Sequence, residues 1–162
     1  MSKSYKNSNP PIAHGAKTMQ PAKNIALIAH DHRKMDLIDW CEFNEGSLKK
    51  HKLYGTGTTA GMIHDHVGLA VHRFNSGPLG GDLQIGAAIS EETIDMMIFF
   101  WDPLRAQPHD VDVKALLRMA VVYNIPMACN RASADFMISS ELMNQPYDRF
   151  IVDYSTRFTK DI

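Results

Sequence analysis

Asn24-Ile25-Ala26-Leu27-Ile28-Ala29, followed at once by His30-Asp31-His32, decides the architecture. Five of the first six residues are apolar, without polar alternation. That is the pattern of a short strand buried on both faces, as in a parallel sheet covered by helices. The abrupt change to titratable residues marks where the strand leaves the core. From Arg33 the spacing becomes helical: Leu37, Trp40 and Cys41 stand at i, i+3 and i+4 among Lys34, Asp36, Asp39 and Glu42, and Gly46-Ser47 is expected to end the helix.

The same unit repeats outward from this stretch. Lys52-Leu53-Tyr54 is a second strand ending on Gly55-Thr56-Gly57-Thr58-Thr59, with a helix over about 60–66 stopped by Gly68. Val71 to Phe74 is a third strand. It ends in Ser76-Gly77-Pro78-Leu79-Gly80-Gly81-Asp82, a glycine-rich loop that opens the next helix. Met96 to Trp101, the most hydrophobic strand, ends on Asp102-Pro103; Asp110 is expected to cap a helix over 111–123, with Asn124 just past its end. Pro126 to Cys129 is the fifth strand, ending on Asn130, and Ser133 is read as the cap of a last helix. Strict strand–helix alternation predicts an α/β, doubly wound (Rossmann- or flavodoxin-like) fold with a five-stranded parallel sheet in a single domain, residues 24–162. Residues 1–23, polar and lacking an apolar core, read as a flexible N-terminal extension and not as a secretory signal.

Composition narrows the function classes. The chain has 162 residues, 44% hydrophobic and 22% charged, with a net charge of −1. Neither nucleic acid nor an anionic membrane is an expected partner. The longest apolar run, Met96 to Trp101, is too short to span a bilayer. Cys41 and Cys129 stand far apart, outside any CxxC, which fits a reducing compartment and not a metal cage. The eight histidines show no paired metal spacing, and no GxSxG, P-loop or GxGxxG occurs.

In an open α/β sheet the ligand crevice lies beyond the carboxyl ends of the strands. Here those ends are His30-Asp31, Thr56-Gly57, Ser76-Gly77, Trp101-Asp102 and Asn130, so the topology gathers the polar clusters on one edge. Thr56, Gly57, Thr58 and Thr59 combine backbone amides, hydroxyls and a helix start, which suits a phosphate; a turn with threonine caps is the other reading. Lys34 could add a positive charge. Asp82 follows a glycine-rich loop, either as a plain N-cap or as a carboxylate set beside an anion site. His109 at a helix start is suited to donate a hydrogen bond as a neutral imidazole, and Asp112 lies in the same first turn. Together His30, Asp82, His109, Asp112 and the cradle suit proton abstraction beside a carbonyl in a small phosphorylated molecule.

At these residues the chain resembles the methylglyoxal synthases. The matching segments are 25–31, 56–59, 76–82, 99–104, 108–116 and Ala134-Asp135, within a similarity running from about residue 23 to 154. The resemblance implies a cytoplasmic lyase converting dihydroxyacetone phosphate to methylglyoxal and inorganic phosphate, with no metal or organic cofactor. It also implies a homohexamer inhibited by phosphate. Asp82 would be the base, His109 would polarise the carbonyl and shuttle protons, and Asp112 would support the transfer. His30 and Asp31 would bind substrate oxygens, while Lys34, Thr56, Thr58, Thr59, Ser76 and Gly77 would hold the phosphate. Some family members carry a basic residue near the C-terminus that acts between subunits; that position here is Asp161, with Lys160 and Arg157 nearby. Two other readings compete: a phosphate- or nucleotide-sensing module, which needs the cradle but not Asp82, His109 and Asp112, and a sugar-phosphate isomerase, which would retain phosphate.

Overall fold

Alternate residues of the central strand feed two different cores. In the computed structural model, which describes residues 14–154, this strand is β2, Asn24–Ala29. Ile25, Leu27 and Ala29 enter one apolar cluster, with Leu37, Trp40, Ile63 and Phe100. Ala26 and Ile28 enter the other, with Ile85, Ile89, Phe99, Val113 and Leu116. A strand buried on both faces needs no polar alternation, which is why the run is continuous.

The remaining elements follow the expected order. They are α1 (Lys34–Phe43), α2 (Glu45–Leu48), β3 (Lys52–Thr56), α3 (Gly57–Val67), β4 (Val71–Phe74), α4 (Gly81–Ser90), β5 (Met96–Phe100), α5 (Asp110–Val122), β6 (Met127–Ala128) and α6 (Arg131–Ile138). The sheet runs β4-β3-β2-β5-β6 and every pairing is parallel. Gly68 ends α3 in the left-handed region at φ 79°, and Asn124 follows α5 with φ 49°. Trp40 packs under Phe100 and donates its indole N–H to Asp135 at 2.8 Å, tying α1 to α6. No helix among the described residues is long and apolar enough to cross a membrane.

Four readings need correction. Residues 1–23 are not a flexible extension throughout. His14–Met19 is a strand, β1, paired antiparallel with β7, Tyr147–Val152, to make a second, two-stranded sheet. The partner lies some 130 residues away in sequence, so local composition could not reveal it. Residues 1–13, and the tail positions Arg157, Lys160 and Asp161, lie outside the described residues. Gly46-Ser47 does not end regular structure but sits within the short helix α2. Asp110 is the first residue of α5 and not its cap: its carboxylate accepts from the Gln107 N–H at 3.0 Å, and the cap position falls to His109. Asn130, not Ser133, caps α6, accepting from the Ser133 N–H at 2.9 Å.

Candidate active site

The carboxyl ends of β2, β3 and β4 open onto a cavity of about 230 Å³. Its floor is Ile28 and Ala29; its walls come from the loops after each strand. Thr56 stands at the start of α3, but its side chain makes no capping bond. The Gly57 N–H is taken by the Asn75 carbonyl at 3.1 Å, so it is the rest of the first turn of α3 and the buried Thr59 hydroxyl, which has no partner, that border the cavity. Thr58, Ser76 and Gly77 complete that wall. Lys34 closes it from α1, half-buried and paired with the exposed carboxylate of Asp31, whose hydrogen bond holds that acid below its usual value.

Close packing of the glycine-rich loop brings the other wall near. A Cβ on Gly57 would come within 2.9 Å of the Ser76 nitrogen, and one on Gly81 within 2.0 Å of the Asn75 carbonyl. A Cβ on Gly77 would meet His109 Nε2 at 2.8 Å. These contacts require glycine and let the loop from β4 and the loop from β5 meet across the site. Gly80, at φ 96°, then turns the chain into α4. Asp82 is the second residue of that helix, 2% exposed, and makes no capping bond. A helix start favours its anion, but burial works in the opposite direction and dominates. Burial, reinforced by the nearby Asp112 charge and opposed by His109, holds the Asp82 carboxyl above its usual value. Its Oδ2 lies 3.6 Å from His109 Nε2, beyond hydrogen-bond range, and has no partner.

His30 is fixed by a contact the sequence did not disclose. The Asp102 backbone N–H donates to His30 Nδ1 at 3.1 Å, and the ring packs edge-on against Phe99. With Nδ1 accepting, the neutral ring carries its proton on Nε2, a buried atom with no partner. Burial first, then neighbouring His109, keeps the His30 imidazole below the usual histidine value. Its ring centroid is 5.8 Å from that of His109. Four buried polar atoms without partners thus converge here: His30 Nε2, Thr59 Oγ1, Asp82 Oδ2 and His109 Nδ1. Orphaned buried polar atoms are rare in folded proteins, and such a cluster has the character of a ligand site.

The MGS-like domain family model matches residues 36–129, more than half of the chain. Methylglyoxal synthase of Leptospira interrogans is 58% identical over 139 residues, covering 86% of this chain and 94% of that protein.

The chain belongs to the methylglyoxal synthase family.

The methylglyoxal synthase of Clostridium acetobutylicum is 57% identical over 143 residues, 88% of this chain and 99% of that protein. The crystal structure of methylglyoxal synthase from Elizabethkingia anophelis superposes with a TM-score of 0.86 at 49% identity, covering 91% of this chain and 97% of that one. As a member of the methylglyoxal synthase family the chain is a lyase.

Of the residues the sequence singled out, His30, Asp31, Lys34, Thr56, Thr58, Thr59, Ser76, Gly77, Asp82 and His109 all line the cavity. Gly57 and Asp112 do not. Gly57 acts by letting Ser76 approach, and Asp112, half-buried on the first turn of α5, reaches the site through its charge on Asp82. Asp102 and Gln107 had no assigned role; their position in the β5 exit loop was the available signal. Neither cysteine lies at the site, and burial pushes the Cys41 thiol up to about 12, far from thiolate chemistry.

Proposed function

We propose that the chain converts dihydroxyacetone phosphate to methylglyoxal and inorganic phosphate at this cavity. The observation that carries the reading is Asp82: a buried carboxylate with one unpartnered oxygen, facing His109 inside the same cavity as the threonine cradle.

The substrate phosphate occupies the cradle of Thr56, Thr58, Thr59, Ser76 and Gly77, with Lys34 beside it. Asp82 removes a proton from C3, and the electron pair passes to the C2 oxygen, giving an enediolate. His30 Nε2–H donates to that oxygen and His109 moves protons between the two enediol oxygens. Loss of the C3 hydroxyl proton makes the aldehyde, the double bond shifts to C1–C2, and the C1–O bond breaks to release phosphate. The enol left behind takes up a proton to become methylglyoxal. Donors that grip the departing phosphate favour expulsion over return of the proton. Asp112 tunes Asp82 from outside the cavity. The enzyme acts without metal or organic cofactor, in the cytoplasm, as a homohexamer inhibited by its product phosphate; light scattering tests the assembly.

Incubation with dihydroxyacetone phosphate and a chelator should release methylglyoxal and phosphate in equal amounts. Absence of any dicarbonyl product overturns the reading. Accumulation of glyceraldehyde 3-phosphate with phosphate retained would instead establish an isomerase.

A further inference from the structure

The order of groups along the sheet edge singles out a residue with no role so far. Going from β4 through β3 and β2 to β5, the strand exits present Ser76, then Thr56 to Thr59, then His30, then the loop 101–109. The phosphate cradle is therefore at one end and the carbonyl donor His30 in the middle. The β5 exit stands two inter-strand spacings, about 10 Å, from that of β3. In that last loop Gln107 lines the cavity, half-buried. Its backbone N–H is pinned by the Asp110 carboxylate, which fixes where the side chain leaves the loop. Its carboxamide makes no hydrogen bond to any described residue.

We propose that the Gln107 carboxamide recognises the terminal hydroxyl of the substrate, the end farthest from the phosphate. The assignment rests on the functional reading above. Gln107 is the one polar side chain lining the cavity to which neither the sequence reading nor the mechanism gives a role, and His109 is the other group within reach of the hydroxyl end. The hydroxyl end needs a partner that accepts and donates without charge, because Asp82 and the substrate phosphate already supply negative charge nearby. A carboxamide meets that need and a carboxylate does not.

The test uses Asp82→Asn protein, which is expected to hold substrate without turning it over. Titration calorimetry compares inorganic phosphate, acetol phosphate (the substrate without its terminal hydroxyl) and dihydroxyacetone phosphate. With Gln107 present, dihydroxyacetone phosphate should bind about five- to tenfold more tightly than acetol phosphate, the worth of one hydrogen bond. Adding Gln107→Met should lower that preference to the part that His109 supplies and leave phosphate affinity unchanged. Persistence of the undiminished preference in Gln107→Met overturns the assignment. An equal loss for all three ligands also overturns it, since that is the signature of a collapsed loop. Binding of none of them to Asp82→Asn alone removes the functional reading, and this inference with it.

Discussion

The two ends of the parallel sheet each hold a cavity, and the smaller one is where we propose the chemistry. The cavity at the carboxyl ends measures about 230 Å³; that at the amino ends measures about 420 Å³ and is lined largely by Met19, Met96, Met137, Met143, Ile125 and Phe136. The larger one contains a buried cation, Lys23, but its ammonium donates to the carbonyls of Gln20 and Gln145 at 2.5 and 2.6 Å. Around it, the Lys23 N–H is taken by His51 Nδ1 and the Asn24 N–H by Asp95. At the other end, four buried polar atoms have no partner. Size does not separate the two ends; the kind of unfinished hydrogen bonding does. At the amino end the orphaned atoms are Nε and Nη2 of Arg149, a cation facing the Asp95 and Glu92 charges, whereas at the carboxyl end imidazole, hydroxyl and carboxylate atoms lining one cavity are left open. A folded chain tolerates orphaned donors and acceptors where a ligand completes them, at a cost in stability of the free protein.

The largest effect expected is at Asp82. Asp82→Asn should lower kcat by about 10²- to 10⁴-fold, the usual worth of a general base. The variant should also be more stable at neutral pH, because it removes a carboxylate whose ionisation burial opposes. The sign follows from linkage. A carboxyl whose folded pKa is raised stabilises the fold only when protonated, and that contribution is lost as pH rises through the folded value. The excess Tm of Asp82→Asn should therefore shrink as pH falls toward about 4, the unfolded carboxylate value. The acid limb of kcat/KM in the parent enzyme should lie above that value. Equal Tm for parent and variant at every pH would show Asp82 to be solvated, and would remove the contrast between the two ends.

Next in size is Gly77→Ala. The added methyl meets His109 Nε2 at 2.8 Å, so the ring must give way and its 3.6 Å approach to Asp82 is disturbed. A displacement on the order of 1 Å at a reacting group costs about 10²-fold, so kcat should fall by that order with phosphate affinity little changed. If kcat were unaffected, the approach of the two loops would have no catalytic meaning. A third and smaller effect belongs to Thr59. Its hydroxyl is buried without a partner, so Thr59→Val should weaken inorganic phosphate about five- to tenfold in calorimetry. The free enzyme should lose no stability, since the isosteric change removes an unpaired polar atom.

How far the sequence disclosed this contrast depends on the range of each interaction. The strand bodies and exits were legible because each is written in a continuous stretch: the apolar run 24–29, the threonines 56–59, the glycines 77–81. Strand order along the edge then gathered them. What stayed hidden were contacts between distant segments. The β1–β7 ribbon pairs Lys17 with Arg149, and the Asp102 amide that orients His30 is 72 residues away. Caps misled for a related reason: Asp110 and Ser133 are good cap residues in the right places, but neighbours His109 and Asn130 hold the cap positions. Asp112 was read as a support for the proton transfer, and it stands outside the cavity lining with its charge acting on Asp82. Its place in the first turn of α5 was visible, but which face of that turn lines the cavity was not.

The smallest effect on activity is expected at the opposite end of the sheet. Lys23→Met keeps the length of the side chain and removes its three donors. The carbonyls of Gln20 and Gln145 then lose their partner inside an apolar cavity, which should destabilise the fold by about 1–3 kcal/mol in chemical denaturation. Part of that loss is offset because burial already disfavours the Lys23 charge, holding the amine below its usual value. Turnover and phosphate affinity should stay within about twofold of the parent, because β2 lies between Lys23 and the site and its register is held by the β3 and β5 ladders. If Lys23→Met weakened phosphate binding as Thr59→Val does, the two ends would be coupled through β2. The amino-end cavity would then be part of the machinery, and the satisfied hydrogen bonds of Lys23 would no longer mark it as purely structural.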